Sequence, residues 1–145
     1  MLVERAKELA HRAHAGQVDK AGRPYIEHVA RVAAAVSNDS EAEAVAWLHD
    51  VIEDAPGFVS ELETFPAYIR RAVIRLTRYP DDTPARYYAG IRAYPVTLRV
   101  KLADIADNAD ESRLALLDEN TAARLRRKYA KAREMLGIVP EGEQR

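Results

Sequence analysis

The sequence predicts an all-α fold, a single domain of roughly seven or eight irregularly packed helices. Three observations lead there. Apolar residues recur at three- and four-residue spacing along most of the chain. Proline and glycine are sparse and cut it into helix-length pieces. No stretch alternates apolar and polar residues for long enough to make a sheet. The 145 residues suffice for one buried core, and 48% hydrophobic with 31% charged residues is an ordinary soluble composition rather than a disordered one.

Leu2, Ala6, Leu9, Ala10 and Ala13 mark a first helix that stops at Gly16. A polar loop follows from Gln17 to Pro24, carrying Lys20, Gly22 and Arg23, and Pro24 suits the first turn of a second helix. That helix turns Ile26, Val29, Ala30, Val32 and Ala33 inward and ends near Ser37 to Ser40. A third helix is expected from Glu41 to Asp54, with Val45, Leu48 and Ile52 on its core face. After Pro56-Gly57, Ser60 and Glu63 fit a capping box. A helix through Tyr68 to Leu76 comes next, then a turn at Tyr79 to Asp82. Thr83-Pro84 opens another helix, which Tyr94-Pro95 interrupts. A long helix is expected from Val96 to Leu117, its buried face set by Leu98, Leu102, Ile105 and Ala109. The charged last helix runs from Thr121 to Leu136. The domain is thus expected to cover residues 1–137, leaving 138–145 as a frayed tail.

With 22 basic against 23 acidic side chains, binding to nucleic acid through bulk electrostatics is disfavoured. The absence of cysteine excludes disulfides, thiolate metal sites and cysteine nucleophiles. No apolar run approaches the 18 or so residues of a membrane span, and the amphipathic N-terminus is unlike a signal peptide, so the expected compartment is the cytoplasm.

The chemistry-bearing segment is Trp47 to Asp54. On a continuous helix, His49, Asp50 and Glu53 share a sector of about 100° beside the core face. A solvated acidic stripe would look the same, so this helix alone does not decide. Further along, Lys101, Asp104, Asn108 and Glu111 form a polar row on the flank of the long helix, where a surface Lys-Asp pair is the plain alternative. His28 lies between Ile26 and Val29; a lone histidine there is more often a hydrogen-bonded packing residue than a ligand. Together, two imidazoles and two carboxylates from three helices can converge on one divalent cation, and without cysteine the compatible ions are Mn²⁺, Fe²⁺, Co²⁺ or Zn²⁺. Glu53 and Asp54 are then candidates to orient or deprotonate a water, and Lys20, Arg23 and Lys101, with Arg113, to meet phosphate oxygens.

These residues resemble the HD phosphohydrolase superfamily in the order His28, His49-Asp50, Asp104. The segments AHAGQVDKAGRPYIEHVARVA, HDVIED and KLAD…N are narrower still: they resemble the hydrolase domain of the RelA/SpoT alarmone enzymes, most of all the small stand-alone hydrolases, over about Ala6 to Arg113. The resemblance implies that His28, His49, Asp50 and Asp104 hold one divalent ion, usually Mn²⁺. It implies that Glu53 and Asp54 position and activate the attacking water. Asn108 would lie near the nucleotide sugar and Lys20 in the basic loop that approaches the substrate. The implied reaction removes the 3′-pyrophosphate from ppGpp or pppGpp.

The chain departs from the family pattern at two places. Asp19 stands where an arginine that packs on the base is usual, and Ile105-Ala106-Asp107-Asn108 replaces an R-x-H-N pattern. The expected partner is therefore a small nucleotide, with neither nucleic acid nor membrane, and self-association is left open. An HD-type nucleotidase acting on NADPH or a nucleoside monophosphate is the alternative enzyme; a non-catalytic, nucleotide-sensing helical module is the alternative of another class. His11 and His14, three residues apart, suggest supporting or surface roles or a metal clip. Tyr87 and Tyr88 suit packing or the flank of a base.

Overall fold

A computed structural model describes residues 1–138, and the expected tail, apart from Ile138, lies outside the described residues. Among these residues the regular structure is helical, with one isolated bridge between Val18 and Pro24. Seven helices have nine residues or more: α1 (Leu2–Ala13), α2 (Tyr25–Ala35), α3 (Ser40–Leu48), α6 (Ala67–Leu76), α7 (Pro84–Arg92), α8 (Pro95–Asn108) and α10 (Glu119–Met135). Single turns fill the corners: α4 (Val51–Asp54), α5 (Val59–Leu62) after a 3₁₀ turn at Pro56–Phe58, and α9 (Glu111–Leu114). No helix among the described residues is long and apolar enough to cross a membrane.

The chain's own chemistry sets most of the ends. Asp39 caps α3 by accepting the Glu41 and Ala42 N–H groups, Thr83 caps α7 through Arg86 N–H, and Asp118 caps α10 through Thr121 N–H. Pro84 and Pro95 occupy first turns, where a missing N–H costs nothing. Gly16, at φ +80°, takes the left-handed turn that lets the loop after α1 reverse. The capping box is a correction: Ser60 lies inside α5, which has no side-chain cap.

At the centre stands α3, packed against α1, α2, α6 and α8. Ala42, Ala44, Val45, Ala46, Trp47 and Leu48 are all buried, so the stretch from Ala44 to Leu48 is enclosed on every side, as the centre of a core helix must be. Its alanines let neighbours approach closely. Truncating the fully buried Leu48 to alanine removes about 2–5 kcal/mol of stability. A satellite cluster of Leu114, Ala122 and Leu125, with Leu117 and Tyr129 against it, fastens α9 to α10.

Two expected helices are broken, both where the candidate chemistry lies. The helix from Glu41 to Asp54 ends at Leu48 and restarts at Val51, because His49 folds its Nδ1 back onto the Ala46 carbonyl at 2.6 Å and Asp50 leaves helical geometry at φ −105°, ψ 2°. The helix from Val96 to Leu117 stops at Asn108, and Asp110 caps a new turn through Ser112 N–H. The inward face of α8 also differs from expectation. Thr97, Val100, Asp104 and Ile105 are buried, while Leu98 and Leu102 are only partly so. The polar row is therefore not a flank, since its central carboxylate points inward.

Candidate active site

The structure brings His28 of α2, His49-Asp50 of the α3–α4 corner and Asp104 of α8 to one place. Each offers a ligand atom within 4.8 Å of all the others. His28 Nε2 lies 2.9 Å from Asp104 Oδ1; His49 Nε2 lies 3.1 Å from Asp50 Oδ2 and 3.4 Å from Asp104 Oδ1. The break after Leu48 makes this possible, because it turns both neighbours, His49 and Asp50, toward α8.

Each donor is also held from behind. His49 Nδ1 is engaged by the Ala46 carbonyl, which leaves the buried Nε2 facing Asp50 and Asp104 without a well-aligned hydrogen bond among the described residues. His28 Nδ1 donates to Asp107 Oδ2 at 2.6 Å. The Tyr25 hydroxyl donates to Asp50 Oδ2 at 2.5 Å, and Lys101 and Asn108 donate to Asp104 at 3.1 and 3.2 Å. A carboxylate behind an imidazole is the arrangement that fixes a metal-binding tautomer. Asp107, read in the sequence only as a departure, is thus a structural partner of His28; the available signal was a carboxylate one turn beyond Asp104 on the same helix.

Electrostatically the cluster calls for positive charge. Burial penalises ionisation of His49, but the charges of Asp50 and Asp104 prevail and raise its affinity for a proton well above the ordinary value. His28 is raised in the same way by its bonds to Asp104 and Asp107. Burial would push Asp104 up, yet Lys101 and the two imidazoles hold it well below the usual carboxylate range. An unpaired carboxylate so buried would cost several kcal/mol, so its neighbours are required. A buried imidazole nitrogen without a well-aligned hydrogen bond, a second imidazole and two hard oxygens form a donor set that can hold a divalent ion.

Glu53 and Asp54 stand one turn on, at the exposed rim. Partial enclosure, with the charge of Asp50, holds both carboxyls above their ordinary values. The Arg78 backbone N–H donates to Glu53 Oε1 from one side, and the Gln17 amide donates to Asp54 Oδ2 at 3.1 Å from the other. A cavity of about 500 Å³ opens above the cluster. Asp50, Asp104, Lys101 and Asn108 line it on the side of the cluster, Glu53 lines its rim, and Lys20 and Arg23 line the loop side. His28 and His49 lie buried behind it, and Asp54 stands outside its wall.

Several expected residues behave otherwise. Arg113 lines the cavity, but its donors are taken by Asp19 and Asp107, both at 2.9 Å, and by Asn108 at 3.2 Å. Arg23 pairs with Glu27 on the exposed side. His11 is exposed and bonded to the Lys7 carbonyl, whereas His14 is buried against Gln17, so the two make no metal clip. Tyr87 is a buried packing residue whose hydroxyl donates to the Leu76 carbonyl; Tyr88 reaches the cavity wall.

No family model matches the chain. Curated relatives do. It is 42% identical over 69 residues, 45% of its length, to the guanosine-3′,5′-bis(diphosphate) 3′-pyrophosphohydrolase of Haemophilus influenzae. It is 43% identical over 58 residues, 38% of its length, to the bifunctional (p)ppGpp synthase/hydrolase SpoT of Escherichia coli. The chain resembles a RelA/SpoT-type hydrolase domain. A longer match, 30% identical over 95% of the chain, joins it to a probable GTP pyrophosphokinase of Mycobacterium leprae. The chain spans 10%, 8% and 18% of the lengths of these three proteins.

Proposed function

We propose that this chain is a divalent-metal-dependent phosphohydrolase that removes the 3′-pyrophosphate from ppGpp, pppGpp or a related nucleotide. The observation that carries the reading is the convergence of His28, His49, Asp50 and Asp104 beneath a cavity rimmed by Glu53 and by basic residues. The names of the relatives support the substrate class.

His28, His49, Asp50 and Asp104 hold the ion, for which Mn²⁺ fits a mixed imidazole and carboxylate set. When bound, it supplies Lewis-acid stabilisation of charge and a more acidic water. Glu53 and Asp54 orient the attacking water and accept its proton; carboxyls held above their ordinary range are better bases than free ones. The water oxygen bonds to the phosphorus carried by the 3′ oxygen and the P–O3′ bond breaks. The 3′ oxygen takes a proton from solvent, and pyrophosphate leaves. Lys101 and Lys20, which line the cavity, pair with phosphate oxygens in this reading, and Asn108, which also lines it, contacts the sugar.

The test is release of pyrophosphate and GDP from ppGpp, stimulated by Mn²⁺, with loss of turnover in Glu53→Gln while the fold is retained. No turnover by the Mn²⁺-loaded protein overturns it. One observation favours a second reading: Asp19 is bound to Arg113, and the loop offers no guanidinium to pack on a base in the usual position. Inorganic phosphate released from NADPH or a nucleoside monophosphate, in place of pyrophosphate from ppGpp, would identify that alternative.

A further inference from the structure

We propose that Gln17 is a positioning residue for Asp54, its amide locked in one orientation by His14. The proposal rests on the reading of Asp54 as one of the two carboxylates that orient the attacking water.

His14 sits at the C-terminal end of α1 and is 1% exposed. Its Nδ1 meets Gln17 Oε1 at 2.8 Å, and Gln17 Nε2 donates to Asp54 Oδ2 at 3.1 Å. Donor and acceptor logic gives this chain a single polarity. An ionised carboxylate only accepts, so the amide must present its NH₂ to Asp54. Gln17 Oε1 is then left facing His14, and the imidazole must carry its proton on Nδ1. The ring's other nitrogen has no hydrogen-bond partner among the described residues. Packing alone would be served at lower cost by an apolar ring, since an unpartnered buried nitrogen is unfavourable. Among the described residues, the one hydrogen bond this imidazole makes is to Gln17.

The amide is also anchored at its base. Gly16 turns the chain, and the Gln17 carbonyl accepts the Tyr25 N–H at 2.8 Å. The His14 ring packs 5.3 Å from that of Tyr25, whose hydroxyl reaches Asp50. Gln17 therefore occupies the fixed root of the loop, not its exposed tip. Asp54 otherwise faces the charge of Asp50 and the imidazoles of His14 and His49, and the bond from Gln17 favours its ionised form. The bond from Gln17 occupies Oδ2 and leaves Oδ1 for a water.

Wild-type, Gln17→Ala, Gln17→Glu and His14→Phe/Gln17→Ala proteins, each loaded with Mn²⁺, are assayed for pyrophosphate release from ppGpp, with kcat and KM determined separately. In parallel the Asp54 carboxyl is titrated by carbon NMR without substrate. Gln17→Ala is expected to lower kcat about tenfold, the scale of one lost hydrogen bond to a charged group, with KM and Mn²⁺ binding unchanged. The Asp54 titration midpoint moves up. Gln17→Glu loses at least as much, because it sets a second carboxylate against Asp54. Adding His14→Phe to Gln17→Ala costs nothing more, since the two act in series. Unchanged kcat together with an unchanged Asp54 midpoint in Gln17→Ala overturns the proposal. If the double variant does not fold, the two single Gln17 variants still decide, since that side chain is only half-buried. A wild-type protein inactive on ppGpp removes the functional reading, while the Asp54 titration still judges the contact.

Discussion

At the floor of the cavity each candidate donor has a second anchor: Asp107 for His28, the Ala46 carbonyl for His49, Tyr25 for Asp50, Lys101 and Asn108 for Asp104. The loop of residues 17–24 that walls the same cavity reaches the helices through fewer side chains. Gln17 binds Asp54, Asp19 binds Arg113, and Arg23 makes an exposed pair with Glu27. Lys20 extends from it into solvent. The floor is fixed before any ligand arrives, and such preorganisation is what stabilises charge that develops in a reaction. The wall carries exposed cations, Lys20 and Arg23, on the solvent side of the cavity. Damage to the floor should therefore appear in metal affinity and kcat, and damage to the wall in KM.

The largest break is Asp104→Ala. It removes the carboxylate shared by both imidazoles and leaves Lys101 without its counter-ion. Calorimetry should detect no Mn²⁺ binding, and turnover should fall by at least about 10³-fold, with helical circular dichroism retained. Next is Asp107→Asn, which keeps the shape but removes the charge behind His28. Burial alone would raise Asp107, but His28 and Arg31 hold it down to about 2, so it is ionised at neutral pH. Removing such a partner costs about 10- to 100-fold in metal affinity, measurable by competition with a chelator. Mn²⁺ affinity equal to wild type would mean that the anchors behind the floor do nothing.

How much of this was legible in the sequence depends on distance along the chain. Ends set by local chemistry were readable: α1 stops before Gly16, Thr83 and Pro84 start α7, and Tyr94-Pro95 separates α7 from α8. The break at His49-Asp50 was not, because helical periodicity runs straight through it and the cause is one imidazole bending onto Ala46. The inward Asp104 was misplaced for a related reason. A helical wheel counts a carboxylate as outward, and Lys101 one turn back is joined by imidazoles from α2 and the α3–α4 corner, more than 50 residues away, in offsetting its burial. Asp107 was missed because its partner, His28, is 79 residues distant.

Arg113 belongs to both regions and gives the intermediate effect. It ties Asp19 on the wall to Asp107 behind the floor. Arg113→Ala should raise KM and weaken Mn²⁺ binding together, each by about tenfold, whereas Asp19→Asn should raise KM alone. The double variant should be no worse in KM than Arg113→Ala. Burial pushes the Asp19 carboxyl up, but the Arg23 and Ala21 N–H groups and Arg113 outweigh this and hold it below the ordinary range. A depressed carboxyl contributes stability above its unfolded value and loses it as pH falls through the folded one. The tie is thus intact at neutral pH, and thermal unfolding of wild type and Asp19→Asn should converge only in acid.

The smallest effects belong to the tips of the wall. Arg23 and Glu27 are well exposed, and a pair of that kind contributes about 0–1 kcal/mol, so Arg23→Ala should leave the melting temperature almost unchanged. Lys20→Ala should do the same, since Lys20 is exposed and acts only on what enters the cavity. Each should raise KM for ppGpp a few-fold with kcat intact. The increase should shrink as salt rises, because exposed charges more than about 10 Å apart are screened at 0.1 M ionic strength. Michaelis analysis at low and high salt separates this from a floor effect: the His/Asp cluster is buried and screened little, so an Asp107→Asn defect should persist at both. A salt-independent loss of kcat in Lys20→Ala would move that lysine from the wall to the floor, and the distinction between the two regions would fail at that residue.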